Sequence, residues 1–97
     1  MKTREEIINK ISALKKLIKG KYGVKTIGLF GSFIRGEQKE DSDVDILVEF
    51  EEGADLIDLI ELENFLAEKL SCKVDVVPKR ALREELKDTI LREVAYI

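Results

Sequence analysis

A chain of 97 residues has room for one hydrophobic core, so residues 1–97 are predicted to form a single domain. Apolar residues make up 44% of the chain and charged residues 38%, a composition typical of a globular protein and not of a disordered one. The sequence contains no histidine and one cysteine, Cys72, which argues against an internal disulfide, a histidine-based zinc site and Ser-His or Cys-His catalysis.

The net charge of −3 conceals an uneven distribution along the chain. Residues 1–35 hold nine bases and two acids, residues 36–68 one base and thirteen acids, and residues 69–97 seven bases and five acids. An acidic central third argues against binding of duplex DNA, which requires a basic surface. No stretch is apolar enough to span a membrane or has the layout of a signal peptide, so we expect a cytoplasmic protein without membrane contact.

The first half of the chain is predicted to form a helix, a strand, a turn and a second strand. An apolar stripe at helical spacing runs over residues 3–19, with Gly20 as the expected stop. The β-branched and aromatic residues of Val24–Phe30 indicate a strand, and a turn or short helix follows at residues 32–36. Alternation over residues 43–50 predicts a second strand that buries one face against the core.

The second half is predicted to form a helix, a third strand and a last helix. Apolar residues over Leu56–Leu70 recur at helical spacing with acids between them. Residues 72–77 predict a strand, and Pro78 is expected to end it because proline donates no ladder hydrogen bond. Leucines and an isoleucine over residues 82–94 indicate the last helix. This order predicts a two-layer α/β or α+β domain.

Three aspartates form the first element of a candidate site. Asp43 and Asp45 are two residues apart on a predicted strand, so their side chains emerge on the same face. Asp75 lies in the third predicted strand and joins the pair if that strand lies beside the second. Like charges on one surface resist ionising together unless a cation offsets them, and oxygen ligands without His or Cys suit Mg²⁺ or Mn²⁺. Taken singly, each acid is more simply an exposed strand residue or, for Asp43, a turn cap.

A candidate phosphate-binding turn lies just upstream. Gly31 and Ser32 end the first predicted strand and open a turn, where free backbone N–H groups can bind a phosphate. Ser32 adds a hydroxyl donor, and Arg35, one helical turn further on, can reach the same anion. Alone, Gly31 and Ser32 form a turn dipeptide, and Arg35 is a surface partner for Glu37 or Asp41. Together with the aspartates, they match metal-assisted transfer at phosphorus, which requires no protein nucleophile.

The stretch from Gly31 to Val48, GSFIRGEQKEDSDVDILV, resembles the signature of the minimal nucleotidyltransferases, which are small members of the DNA polymerase β-like superfamily. In that family a Gly-Ser pair, ten intervening residues and an Asp-x-Asp pair recur, and the spacing here is the same. The resemblance extends over nearly the whole chain. It implies the two-layer nucleotidyltransferase fold, a mixed β-sheet with helices packed on one face.

The resemblance also implies an activity, namely transfer of AMP from ATP to a hydroxyl group with release of pyrophosphate. Gly31 and Ser32 would hold the triphosphate, Asp43 and Asp45 would bind two metal ions, and Asp75 would be the third carboxylate and the acceptor of the hydroxyl proton. Many relatives are antitoxins that silence a HEPN-domain toxin by adding AMP to a tyrosine. The implied partner is therefore a HEPN-domain toxin.

Two other hypotheses remain beside the enzyme. The chain is an antitoxin that neutralises its partner by binding alone, or it is a nucleotide-binding sensor without turnover. Retention of three acids together with Ser32 favours the enzyme.

Two departures from the family concern the acceptor. Ile34 replaces the small residue often found before Arg35, and the sequence lacks the additional domain that larger relatives use for small-molecule acceptors.

Overall fold

A four-stranded sheet organises residues 2–97, the part of the chain that the computed structural model describes. The elements in chain order are α1 (Arg4–Tyr22), β1 (Val24–Phe30), α2 (Ser32–Arg35), β2 (Val44–Phe50), α3 (Leu56–Leu70), β3 (Val74–Pro78), a 3₁₀ turn (Lys79–Ala81), α4 (Glu84–Glu93) and β4 (Ala95–Tyr96). Within residues 2–97, no helix is both long enough and apolar enough to cross a membrane.

The strands lie in the order β3-β2-β1-β4 and form a mixed sheet. Strand β1 is antiparallel to both β2 and β4, whereas β2 and β3 are parallel. Parallel neighbours require a crossover, and α3 supplies it because it connects β2 to β3. Pro78 closes β3 without disrupting the ladder, since β3 is an edge strand where one side of the backbone needs no partner.

The hydrophobic core lies between one face of this sheet and the helices α1 and α3, as the resemblance implied. Its members from α1, β2 and α3 share an exposed fraction of zero. They are Ile7, Ile11, Ile18, Val44, Ile46, Val48, Leu62, Leu66 and Leu70. Each side chain of this size contributes about 1.5–3 kcal/mol through burial. The alternation predicted for β2 is confirmed, with the difference that Leu47 on the opposite face is also buried.

Helix α1 runs past its predicted end. Gly20 lies inside the helix, and Gly23 ends it by adopting the left-handed conformation at φ 66°. The additional turn buries Tyr22, whose ring centroid lies 5.4 Å from that of Phe65 on α3. An aromatic contact together with burial of a tyrosine exceeds the roughly 1 kcal/mol that a glycine costs within a helix. The prediction of Gly20 as the helix stop is therefore wrong.

The C-terminal segment differs most from the prediction. The third strand begins at Val74 instead of residue 72, and the last helix is α4, which begins two residues after Leu82. Strand β4 was not predicted, because its two residues are too few to show a period of two. It pairs with β1 at Gly28 and Leu29 and forms the second edge of the sheet.

Gly28 allows the C-terminal segment to lie against the sheet. It is the register partner of Leu47, so both residues present the face opposite the core. A Cβ atom on Gly28 would lie 2.6 Å from Cγ2 of Val94 and 3.1 Å from the carbonyl oxygen of Ala95. The absence of a side chain at Gly28 is therefore what lets Val94 and Ala95 lie against the sheet on this face.

Replacing Gly28 with alanine is expected to destabilise the fold by about 1–3 kcal/mol, the usual cost of overpacking. Urea denaturation measures the change. The matched control is Gly20→Ala, because a Cβ atom on Gly20 meets no other described atom within 4 Å. Alanine in an exposed helix interior is more stable than glycine by about 0.5–1 kcal/mol. Equal effects of the two substitutions would contradict the assignment of Gly28 as a close-packing position.

Candidate active site

Parallel pairing of β2 with β3 brings two of the predicted aspartates together. The register places Asp45 directly opposite Asp75, at the usual strand separation of about 4.8 Å. The next pair in the register, Ile46 and Val76, is buried in the core. Because side chains alternate along a strand, both carboxylates point to the face opposite the core. The condition set by the sequence, that the third strand lies beside the second, is confirmed.

Burial and neighbouring carboxylates raise the pKa of Asp45 from 3.8 to about 6. Burial is the largest cause, and the neighbouring carboxylates of Asp75, Asp43 and Glu93 add to it by repulsion. The Arg35 guanidinium acts in the opposite direction. The ionised form of Asp45 is therefore held in an unfavourable environment, which a cation placed among the carboxylates would relieve.

The donor set of this cluster suits a divalent cation, because Asp43, Asp45 and Asp75 present only carboxylate oxygens. Within residues 2–97, no group of three or more acidic or cysteine side chains converges closely enough to hold a metal ion. Asp43 lies one residue before β2 and is exposed, whereas Asp45 lies within the strand and is partly buried. The metal-binding role of the three aspartates therefore stays a prediction that the donor chemistry supports.

Gly31 forms the turn between β1 and α2 and lies against Asp45. Its φ is 77°, a backbone conformation that residues other than glycine rarely adopt. A Cβ atom at this position would overlap Oδ2 of Asp45 and lie 2.9 Å from its Cγ. The Gly31 carbonyl accepts hydrogen bonds of 3.1 Å from the N–H groups of Ile34 and Arg35, which close the turn. Glycine is thus required both by the backbone and by the adjacent carboxylate.

Glu93, at the end of α4, binds two of the three residues that were predicted to hold phosphate. The N–H of Gly31 donates to Oε1 of Glu93 at 2.9 Å, and Nη1 of Arg35 lies 3.2 Å from the same oxygen. Arg35 also donates from Nε to Glu37 at 2.8 Å, the surface pairing that the sequence offered as an alternative. Sequence reasoning missed Glu93, because 62 positions separate it from Gly31 and no local spacing connects them. Ser32, the first residue of α2, is partly buried, and its phosphate-binding role stays a prediction.

A groove of about 600 Å³ opens over the carboxylates, on the face opposite the core. Four of the predicted site residues line it, and they are Gly31, Arg35, Asp45 and Asp75. Asp43 and Ser32 are outside the lining. The opposite wall belongs to α4 and the segment before it, where four apolar residues alternate with Arg83, Thr89 and Glu93. Over Glu84–Glu93 no residue is buried, so this wall packs loosely on the sheet.

A mixed sheet with opposed carboxylates beside a Gly-Ser turn is the arrangement of a nucleotidyltransferase, and the chain belongs to that family. The family profile of the nucleotidyltransferase domain matches residues 11–97. Among individual proteins, the chain is similar to the protein adenylyltransferase MntA of Thermococcus cleftensis. The two are 50% identical over 97 residues, which cover 100% of this chain and 98% of that protein.

Solved structures show the same fold. A minimal nucleotidyltransferase superposes with a TM-score of 0.84 at 37% identity, covering 97% of this chain and 95% of the other. A toxin–antitoxin structure with AMP-PNP superposes with a TM-score of 0.72 at 30% identity, and the match covers 91% of this chain and 69% of the other. The complex of a tri-AMPylated Shewanella oneidensis HEPN toxin with an MNT antitoxin superposes with a TM-score of 0.69 at 26% identity. This match covers 97% of the present chain and 71% of the other. The predicted fold and family are thereby confirmed.

Replacing Gly31 with alanine is expected to cost more stability than the same change at Gly36. Gly36 has the left-handed conformation (φ 73°, ψ 23°), whereas Gly31 (φ 77°, ψ −149°) lies in a region that essentially only glycine occupies, so both substitutions carry a backbone penalty and the one at Gly31 is larger. Only Gly31 faces Asp45, whereas a Cβ on Gly36 meets no described atom within 4 Å. We expect Gly31→Ala to lose about 1–3 kcal/mol beyond Gly36→Ala in urea denaturation. Equal losses would contradict the close packing of Gly31 on Asp45.

The raised pKa of Asp45 predicts a pH-dependent stability in EDTA. Between about pH 4 and 6 the folded protein keeps a proton on Asp45 that the unfolded chain has released. The stabilisation by this proton is present at low pH and is lost as the pH rises through 6. Asp45→Asn should therefore be more stable than the original protein at pH 7.5 by about 1 kcal/mol, a figure reduced for solvent screening of a partly exposed group.

Urea denaturation of both proteins from pH 4 to pH 8 measures this difference, which should nearly vanish at pH 4. The control is Asp41→Asn, which removes an exposed acid between α2 and β2. If Asp45→Asn is no more stable than the original protein at pH 7.5, the penalty that burial and repulsion are assigned on the ionised Asp45 carboxylate is absent.

Proposed function

We propose that this nucleotidyltransferase transfers AMP from ATP to a tyrosine hydroxyl of a HEPN-domain toxin and thereby acts as an antitoxin in the cytoplasm. The observation that carries the proposal is the register of β2 and β3, which sets Asp45 opposite Asp75 beside the Gly31 turn. The groove above these residues has space for a nucleotide and an acceptor side chain. The combination is suited to in-line transfer at phosphorus.

In the proposed reaction the acceptor oxygen bonds to the α-phosphorus of ATP, the bond to the β-phosphate bridging oxygen breaks, and pyrophosphate leaves. The exposed carboxylate of Asp75 accepts the hydroxyl proton. Arg35 and the N–H of Gly31 bind phosphate oxygens, with Ser32 as a further donor. Two Mg²⁺ ions, or Mn²⁺, bound by the three aspartates would neutralise the developing charge and align the triphosphate with the hydroxyl.

The similar structures support both the nucleotide and the partner. One toxin–antitoxin structure contains AMP-PNP, an ATP analogue, and in another the HEPN toxin bound to an MNT antitoxin carries three AMP groups. The similar protein of Thermococcus cleftensis is named a protein adenylyltransferase. The carboxylates and the Gly-Ser turn of the present chain are consistent with the same nucleotide and the same kind of partner.

A second candidate function is neutralisation of the toxin by binding alone. It is favoured by an apolar patch at the start of α3, where Leu56, Ile57 and Ile60 expose 66%, 64% and 51% of their surface. An exposed apolar patch of neighbouring side chains is typical of a protein interface. Such contacts require none of the three aspartates, so the two functions are separable by mutation.

The test of the proposed function combines the purified protein, Mg²⁺, ATP labelled at the α-phosphate and a HEPN partner. We expect label on the partner and a loss of at least about 100-fold when Asp43 and Asp45 are both replaced by asparagine, since removal of metal ligands removes charge stabilisation of the transition state. Asp41→Asn is the matched control and should label normally. Persistent labelling by the double variant would show that the metal-ligand assignment is wrong.

Toxin neutralisation by the same double variant separates the candidates. Under the proposed function the double variant fails to neutralise the toxin even at equimolar amounts, whereas full neutralisation at equimolar amounts supports binding alone. Metal-dependent ATP binding without pyrophosphate release in the presence of the partner would instead support a sensor.

A further inference from the structure

The groups proposed to bind the triphosphate are held by a carboxylate of the same chain. Oε1 of Glu93 accepts a hydrogen bond from the N–H of Gly31 at 2.9 Å and one from Nη1 of Arg35 at 3.2 Å, and Oε2 lies 3.3 Å from the same nitrogen. The Glu93 side chain is only 18% exposed, so water screens this interaction weakly. Glu93 therefore makes a specific contact and is not a freely rotating surface acid.

A carboxylate and a phosphate present the same kind of acceptor to these donors. Arginine binds both groups through parallel N–H donors, and a backbone N–H at a turn binds either anion. The N–H of Gly31 has a single hydrogen, so it cannot satisfy Glu93 and a phosphate oxygen fully at the same time. Oε1 of Glu93 thus accepts from both of the donors that are proposed to bind phosphate oxygens.

We propose that Glu93 is an internal competitor of the nucleotide and sets its affinity. This inference rests on the proposed function, because it takes Gly31 and Arg35 as triphosphate-binding groups. When nucleotide binds, a phosphate oxygen replaces Oε1 of Glu93 at both donors, and the carboxylate turns outward. No covalent bond changes in this exchange.

Two features of the fold permit the exchange. Over Glu84–Glu93, α4 has no buried residue, so the Glu93 side chain can turn outward without opening the core. Glu93 also contributes to the repulsion around Asp45, together with Asp43 and Asp75. Movement of Glu93 away from the site therefore lowers the like-charge repulsion at the moment when the anionic nucleotide arrives.

The test compares the affinities of the original protein and Glu93→Gln for AMP-PNP with Mg²⁺, measured by calorimetry. The glutamine is nearly isosteric, but its neutral oxygen competes less strongly for a guanidinium and an N–H group. We expect the variant to bind about three- to tenfold more tightly, the range for loss of one charge-assisted contact. Gly31 should also show a changed amide shift in ¹⁵N NMR spectra of the unliganded variant.

Glu85→Gln is the matched control, because it removes the same charge from an exposed position on the same helix and should leave affinity unchanged. Glu93→Asp retains the charge but shortens the side chain, and it should also bind more tightly if direct contact causes the competition. Thermal denaturation establishes that each variant is folded.

Equal or weaker binding by folded Glu93→Gln would overturn the competitor role and would instead make Glu93 a positioning residue for Arg35. Tighter binding by Glu93→Gln with unchanged binding by Glu93→Asp would overturn the direct exchange and leave only a charge effect. If neither the original protein nor any variant binds AMP-PNP, the proposed function fails, and the competitor role fails with it. The first two outcomes leave the proposed function intact, so the two failures are distinguishable.

Discussion

The site depends on the parallel hydrogen-bonded pairing of β2 with β3. This pairing sets two carboxylates opposite each other, which is unfavourable by charge, and it is stabilised by the apolar side chains that the same strands bury on the other face. Because side chains alternate along a strand, a slip of one residue would carry Asp75 into the core and Val76 out of it. Core packing therefore imposes the arrangement of charges at the site.

The site contains two sets of groups, carboxylates that repel one another and donors that bind an anion. Burial and neighbouring acids oppose ionisation of Asp45, while the N–H of Gly31 and the guanidinium of Arg35 are satisfied by Glu93. A cation would relieve the repulsion around Asp45, and a phosphate would replace Glu93 at the N–H of Gly31 and at Arg35. A metal–triphosphate complex presents both charges in one ligand, so each half of it favours binding of the other half.

The sequence predicted the elements with the strongest local patterns, and β1 and α3 have the predicted bounds. The stretch from Gly31 to Val48 was sufficient to predict the family, because the motif is long and its spacing is specific. The proximity of Asp45 to Asp75 was predicted only conditionally, because strand pairing is decided by tertiary packing. Glu93 and β4 were beyond prediction for the same reason: their partners are distant along the chain, and two residues show no periodicity. The metal-binding role of Asp43, Asp45 and Asp75 stays a prediction.

Gly28 lies two residues before Phe30 and has no atom in the groove, yet it determines where the C-terminal strand rests. That strand begins two residues after Glu93, so the pairing of β4 with β1 fixes where Glu93 lies relative to the Gly31 turn. Substitution at position 28 would consequently shift Glu93 relative to Gly31 and Arg35 without changing any residue that lines the groove. A mutational survey of the family that scores activity alone would misassign this glycine to the chemistry, whereas its contribution is architectural.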